Sequence, residues 1–331
     1  MKLIRIAAVY RPGKAITGVT TYAQALKTVL QDHAEIDFME KAPQAGYDLI
    51  HIIDIKGARP KDFSNSQVPV IADLHDYYWS ERRYFPGPDA PLRWLLQNKR
   101  KDHYMTSVQA ATAVFVHSQA VAKYVENKKV FLVPIAIDFE KYFAPAGPER
   151  EPLILLAGRD SWRKGLGTLL SALKMIIDDL PGLRVEVIGK EYAHTRAWAR
   201  LLSLGLDLRF MGELAQEELV KKYHKAMIVY LGSWQEGFGL SLAEGMAAGC
   251  VAVGSIAGGI PEVVQDGLTG ILFQPGDVLE LSAKLRALLE TPELRLNLSA
   301  AGQLRVKEQF TFDKMRQSLV SAYLEVLKGA G

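Results

Sequence analysis

Short apolar runs alternate with stretches of helical period along most of this chain. In the first half the runs are Leu3–Val9, Asp48–Ile53, Val68–Ala72, Ala113–Val116 and Val130–Val133. Their brevity and their Val and Ile content predict strands, and near-continuous apolarity predicts strands covered on both faces. Between the first two runs, Val19–Leu30 places Tyr22, Leu26, Val29 and Leu30 on one helical face. A Pro- and Gly-rich stretch without periodicity, Ala144–Pro152, interrupts the series. It resumes with Leu153–Ala157, Arg184–Ile188, Met227–Leu231 and Val251–Ser255, with helices between. From about Val278 the chain reads as helix, in pieces broken near Pro292 and Thr311.

Alternating strands and helices predict an α/β protein with parallel sheets, arranged as two Rossmann-like halves facing a cleft. The expected division is 1–148 for the first domain and 149–311 for the second.

The richest local signal follows the Met227–Leu231 strand. Gly232-Ser-Trp-Gln-Glu236-Gly-Phe-Gly-Leu-Ser-Leu-Ala-Glu244 sets two carboxylates eight residues apart, across a Gly-Phe-Gly turn that opens a helix. Backbone N–H groups at such a turn can seat an anion, and the carboxylates can accept from hydroxyls. A nucleotide-sugar carries both groups. After the first strand of the second half comes Gly158-Arg159-Asp-Ser-Trp-Arg163-Lys164-Gly165. Here Arg as a fork and Lys as a point charge suit a diphosphate; the alternative is a solvated basic loop.

Composition narrows the classes. The 331 residues suffice for two domains, and nearly half of them are apolar. A net charge of +3 gives no reason to expect a nucleic-acid partner. The single cysteine, Cys250, lies in an apolar run and excludes an internal disulfide or a multi-Cys metal site. Without a signal-peptide profile or an apolar run of membrane-spanning length, a cytoplasmic protein is expected. Near the N-terminus, Gly13 and Gly18 have phosphate-loop separation, but Val19 stands where the loop's Lys belongs. The segment is not a Gly-x-Gly-x-x-Gly fingerprint either, which argues against a dinucleotide oxidoreductase. Asp-x-Asp, a common metal-diphosphate motif, occurs nowhere.

Together, Glu236-x7-Glu244 with its Gly-Phe-Gly, then Gly258-Gly259-Ile-Pro261-Glu262 and Pro275-Gly-Asp277, resemble the signature of the retaining glycosyltransferases of glycosyltransferase family 4. The resemblance implies the GT-B fold, with the last helix, about 312–331, crossing back to the first domain. It implies a retaining, metal-independent transferase that uses a nucleotide diphosphate sugar as co-substrate, UDP-sugar favoured, with no bound cofactor. By resemblance, Arg159 and Lys164 bind the diphosphate together with the N–H groups around Gly237, Phe238, Gly239 and Leu240. Glu236 meets the sugar hydroxyls and Glu244 the ribose. Gly18 faces the donor phosphates, although the family usually has two adjacent glycines there. Met211 borders the base, and His75, in Asp73-Leu-His-Asp76, reaches the transferred sugar. His51 reads as a buried strand residue. The acceptor is expected to be a glycan or a lipid-linked molecule, as in polysaccharide synthesis.

The aromatic and basic segment 77–101 allows peripheral contact with the inner face of a membrane, or is simply a solvated amphipathic helix. The rival functions are a non-catalytic nucleotide-sugar-binding protein and a GT-B isomerase or phosphorylase.

Overall fold

The computed structural model describes residues 3–11, 18–58, 62–63, 66–77, 101–127, 129–147, 150–176, 182–203 and 205–329. Most of the 77–101 segment, and the Gly13–Thr17 turn, lie outside these residues.

The chain divides into two compact units, residues 1–136 with 310–331, and residues 137–309. The change of unit at Ala136/Ile137 comes ahead of the Pro- and Gly-rich stretch. That stretch instead leads into the first strand of the second unit.

In the first unit, six parallel strands form one sheet in the order β2-β1-β3-β4-β5-β6. They are β1 (Ile4–Val9), β2 (Ala34–Met39), β3 (Leu49–Ile52), β4 (Val70–Leu74), β5 (Ala113–Val116) and β6 (Val130–Leu132). Strands β3, β4 and β5 are buried along their whole length, as sheets covered on both faces require. Helix α1 (Gly18–Leu30) buries Tyr22, Leu26, Val29 and Leu30, the face its periodicity predicts. Residues 101–110 are also helical, and α2 (Gln119–Ala122) follows β5, capped by Ser118 Oγ.

The last helix of the chain, α11 (Phe312–Lys328), belongs to this unit and packs on α1. Thr311 Oγ1 accepts from the Lys314 N–H at 3.2 Å and starts the helix. Met315, Leu319, Ala322, Tyr323 and Val326 form its buried stripe.

The second unit opens with the short helix α3 (Phe139–Tyr142). Its sheet holds β7 (Glu151–Ala157), β8 (Arg184–Ile188), β9 (Asp207–Gly212), β10 (Ala226–Leu231), β11 (Val251–Ser255) and β12 (Ile271–Phe273). The strand order is β12-β11-β10-β7-β8-β9, all parallel. Helices α4 (Leu166–Lys174), α5 (Ala193–Leu202), α6 (Gln216–Lys225), α7 (Leu240–Ala247), α8 (Ile260–Val263), α9 (Val278–Glu290) and α10 (Pro292–Gln309) connect and follow them. The order reverses between β7 and β10. In open α/β sheets a ligand crevice lies outside the carboxyl ends of the strands at such a reversal.

The core between sheet and helices includes Leu156, Leu170, Val187, Tyr230, Val253 and Leu285. Each fully buried aliphatic side chain contributes about 1.5–3 kcal/mol. Cys250 is buried as a free thiol, pushed up to about 12 by burial, and donates to the Tyr223 carbonyl.

Candidate functional site

Two loops leave the carboxyl ends of β7 and β10 side by side. Gly232 N–H donates to the Lys164 carbonyl at 3.0 Å, and Tyr230 Oη donates to the Gly165 carbonyl at 3.0 Å. Gly165 has φ +84°, and a Cβ there would lie 2.3 Å from the Gly232 carbonyl oxygen. Only glycine permits this approach. A third loop closes in from β11. Gly258, at φ +53°, rests on the Glu236 carbonyl, which also accepts from Gly259 N–H at 3.0 Å. Much of the signature after Glu244 is therefore architecture around Glu236. Asp277 has a similar task, since it caps α9 by accepting from Glu280 N–H at 2.9 Å.

The loops bring Lys164 and Glu236 together. Lys164 Nζ lies 3.0 Å from Glu236 Oε2, and Ser233 Oγ donates to the same oxygen at 3.1 Å. Burial by itself would raise the Glu236 carboxyl. The charges of Lys164 and Arg163 and these two hydrogen bonds outweigh it and hold the group below its ordinary value. Arg163, the sequence neighbour of Lys164, turns away to donate to the Gln235 carbonyl at 3.1 Å. Arg159 is exposed at the end of β7 and has no ion-pair partner among the described residues. The next residue, Asp160, holds φ +59°, a conformation that costs a non-glycine residue about 1 kcal/mol or more.

Gly239, at φ +102°, is the N-cap of α7, so Gly237, Phe238 and Leu240 follow the bend that opens the helix. Phe238 is buried. Met211 is half-buried on the edge strand β9.

Glu244, on α7, sits in a different setting. It is buried, with Tyr142 Oη donating to Oε1 at 2.8 Å and Tyr223 Oη to Oε2 at 3.1 Å. Burial pushes its carboxyl up to about 7, against the opposing pull of the two hydroxyls. Gln216 supports Tyr142 from α6. Neither tyrosine stood out in the sequence, because Tyr142 is 102 and Tyr223 is 21 residues from Glu244.

The remaining candidates belong to the first unit. Gly18 is exposed as the first residue of α1. His75 follows β4, half-buried, with Nε2 at 2.7 Å from the Ile53 carbonyl. His51 is fully buried, as expected: Nε2 is 2.8 Å from Asp73 Oδ2 and Nδ1 is 2.8 Å from Tyr323 Oη. The sequence reading did not single out His117. Its ring lies 4.5 Å from that of His75, centroid to centroid. Burial lowers His75 to about 4 and His117 to about 3, so both imidazoles are neutral. The missed signal is a matched spacing. Asp73 and Phe115 are partners in the β4–β5 ladder, and His75 and His117 each come two residues later, on the same face.

Comparison with known proteins gives this arrangement a family. Residues 138–305, just over half of the chain, match the family Glycosyl transferases group 1, and the chain belongs to it. It is 35% identical to the sulfoquinovosyl transferase SQD2 of Arabidopsis thaliana over 152 residues, covering 45% of this chain and 29% of that protein. It is 29% identical to the MMP alpha-(1->4)-mannosyltransferase of Mycolicibacterium hassiacum over 293 residues, 84% of this chain and 70% of that one. The chain spans less than half the length of several curated relatives, 42% in the D-inositol 3-phosphate glycosyltransferase of Nocardioides.

Among solved structures, the sucrose-phosphate synthase of Thermosynechococcus elongatus superposes with a TM-score of 0.77. Its sequence identity is 18%, and the match covers 98% of this chain and 100% of that one. Anabaena HepE, solved in complex with UDP and glucose, gives 0.73 at 17% identity, covering 97% and 100%. These likenesses establish the fold: two Rossmann-like units of the kind found in GT-B glycosyltransferases. No described helix is long and apolar enough to cross a membrane.

Proposed function

We propose that this chain transfers a sugar from a nucleotide diphosphate sugar, UDP-sugar favoured, to an acceptor hydroxyl with retention of configuration. The observation that carries it is the Lys164–Glu236 pair at the β7/β10 reversal, next to the α7 N-terminus and on the same β7 loop as the exposed Arg159. Arg159, Lys164 and the first N–H groups of α7 stabilise the diphosphate as negative charge develops on it, with no metal ion in that role. Preorganised donors of this kind are usually the largest catalytic contribution. Glu236, held ionised, accepts from sugar hydroxyls. Its salt bridge makes it a poor proton acceptor, and the acceptor's proton passes to the departing phosphate. Glu244 supports the ribose side of the site. HepE's complex with UDP favours UDP among the donor nucleotides. A glycan or lipid-linked acceptor, and membrane contact through 77–101, belong to the same proposal.

A thermal-shift titration with UDP, GDP, ADP and NAD, each with and without EDTA, tests it. A selective ligand at 100 times its Kd adds about 2.7 kcal/mol of stability. Stabilisation by one diphosphate that EDTA leaves unchanged is the expected result. A flat response to all three diphosphates overturns the donor site, and selective binding of NAD replaces it with a dinucleotide site. With the donor known, NMR of the product's anomeric proton distinguishes retention from inversion.

A further inference from the structure

We propose that Asp73, His75 and His117 form a binding site for a borderline divalent ion of the zinc class. The site lies in the first unit at the carboxyl ends of β4 and β5. One ligand atom from each residue lies within 4.8 Å of the others. Roughly 2.0–2.1 Å bonds in a tetrahedron place ligand atoms about 3.3 Å apart. The site therefore closes by up to about 1.5 Å around the ion, and His75, the least buried of the three, makes that movement.

The hydrogen bonds around the three residues are those a metal site needs. His75 gives one ring nitrogen to the Ile53 carbonyl and His117 gives one to the Val133 carbonyl at 2.9 Å. This fixes each tautomer and leaves the other nitrogen with a lone pair, as in the outer shell of histidine–metal sites. Asp73 is braced in turn by His51 at Oδ2, while Tyr22 Oη approaches Oδ1 only at 3.4 Å.

His51 provides the internal contrast. It is a buried histidine with a structural task, and both of its ring nitrogens are satisfied. His117 is as deeply placed, 3% exposed, yet Nε2 has no hydrogen-bond partner among the described residues. A buried polar atom left unmatched costs about 1–3 kcal/mol, and an ion removes that cost. Two imidazoles and one carboxylate select zinc-like ions over magnesium, which favours an all-oxygen shell.

The test uses untagged full-length protein, stripped with chelator and titrated with ZnCl2 by calorimetry, with metal content checked after dialysis. One zinc per chain is expected. His117→Ala should lower the affinity on the order of 100-fold, and His33→Ala, on an exposed histidine, should leave it unchanged. His117→Gln serves as a second variant, with thermal unfolding confirming that each variant is folded. Cobalt substitution should give a visible absorption band in the wild type that is lost in both His117 variants. Absence of stoichiometric binding, or equal affinity in wild type and His117 variants, overturns the site. None of these readouts needs a donor, so they stand apart from the glycosyltransferase proposal.

Discussion

Glu236 and Glu244 are the same residue type eight positions apart, and the fold sends their protonation in opposite directions. Glu236 is ionised by Lys164 and Arg163, whereas at Glu244 burial outweighs two tyrosine hydroxyls and the Lys141 charge and pushes it up to about 7. Their spacing was legible in the sequence. Their partners, 72 and 102 residues away, were not, because only the fold brings them close. A carboxyl raised from 4.5 to about 7 on folding binds its proton more tightly in the native state. Its contribution to stability is full below about pH 4.5, falls as pH rises, and is gone above about 7, a change of roughly 3 kcal/mol. Glu244→Gln removes that titration. Its melting temperature should gain on the wild type from pH 5 to pH 8, and parallel curves over that range would exclude the assignment. The two cations separate differently. Arg159→Ala should leave stability within about 0.5 kcal/mol while lowering kcat/KM on the order of 100-fold. Lys164→Ala should do both kinds of damage, costing about 1–3 kcal/mol because Glu236 stays behind without its cation. Turnover close to wild type in both variants rules out their role at the diphosphate.

The strands that the hydrophobic pattern missed are β2, β9 and β12, and each is an edge of its sheet. In β2 and β9 polar residues interleave with apolar ones, as in Ala-Glu-Ile-Asp-Phe-Met over Ala34–Met39, because an edge strand is only partly covered, whereas β12 is apolar but only three residues long. The central strands, mostly apolar and buried, were plain from the sequence. The glycines around the site were legible as punctuation, but not as contacts. Gly165 and Gly205 both have positive φ, yet a Cβ at Gly205 meets nothing within 4 Å and one at Gly165 meets the Gly232 backbone. Gly205→Ala should therefore cost only the conformational penalty of about 1–2 kcal/mol. Gly165→Ala must also part the β7 and β10 loops, and should cost at least about 2 kcal/mol more. Urea-unfolding midpoints compare the two directly. Equal costs would mean that the close approach at Gly165 does not restrain the loops.

At the scale of the whole chain, the sequence shows two α/β halves but not where one ends, since Ile137–Tyr142 joins the second unit ahead of the predicted break. The chain's last helix returns to the first unit. Its buried stripe packs there, and Tyr323 reaches His51, extending a hydrogen-bonded line through His51 to Asp73. The two units have separate cores, and separately cored units open separately. Tyr323→Phe keeps the ring and deletes the hydroxyl, leaving His51 Nδ1 buried without its partner, at about 1–3 kcal/mol. Amide exchange should therefore quicken in β3, β4, β5 and α11, while β7, β10 and β11 keep their protection. The site at Lys164 and Glu236 lies in the second unit, so the thermal response to the donor diphosphate should survive the same substitution. Exchange that rises equally in both sheets would show instead that the two units unfold as one.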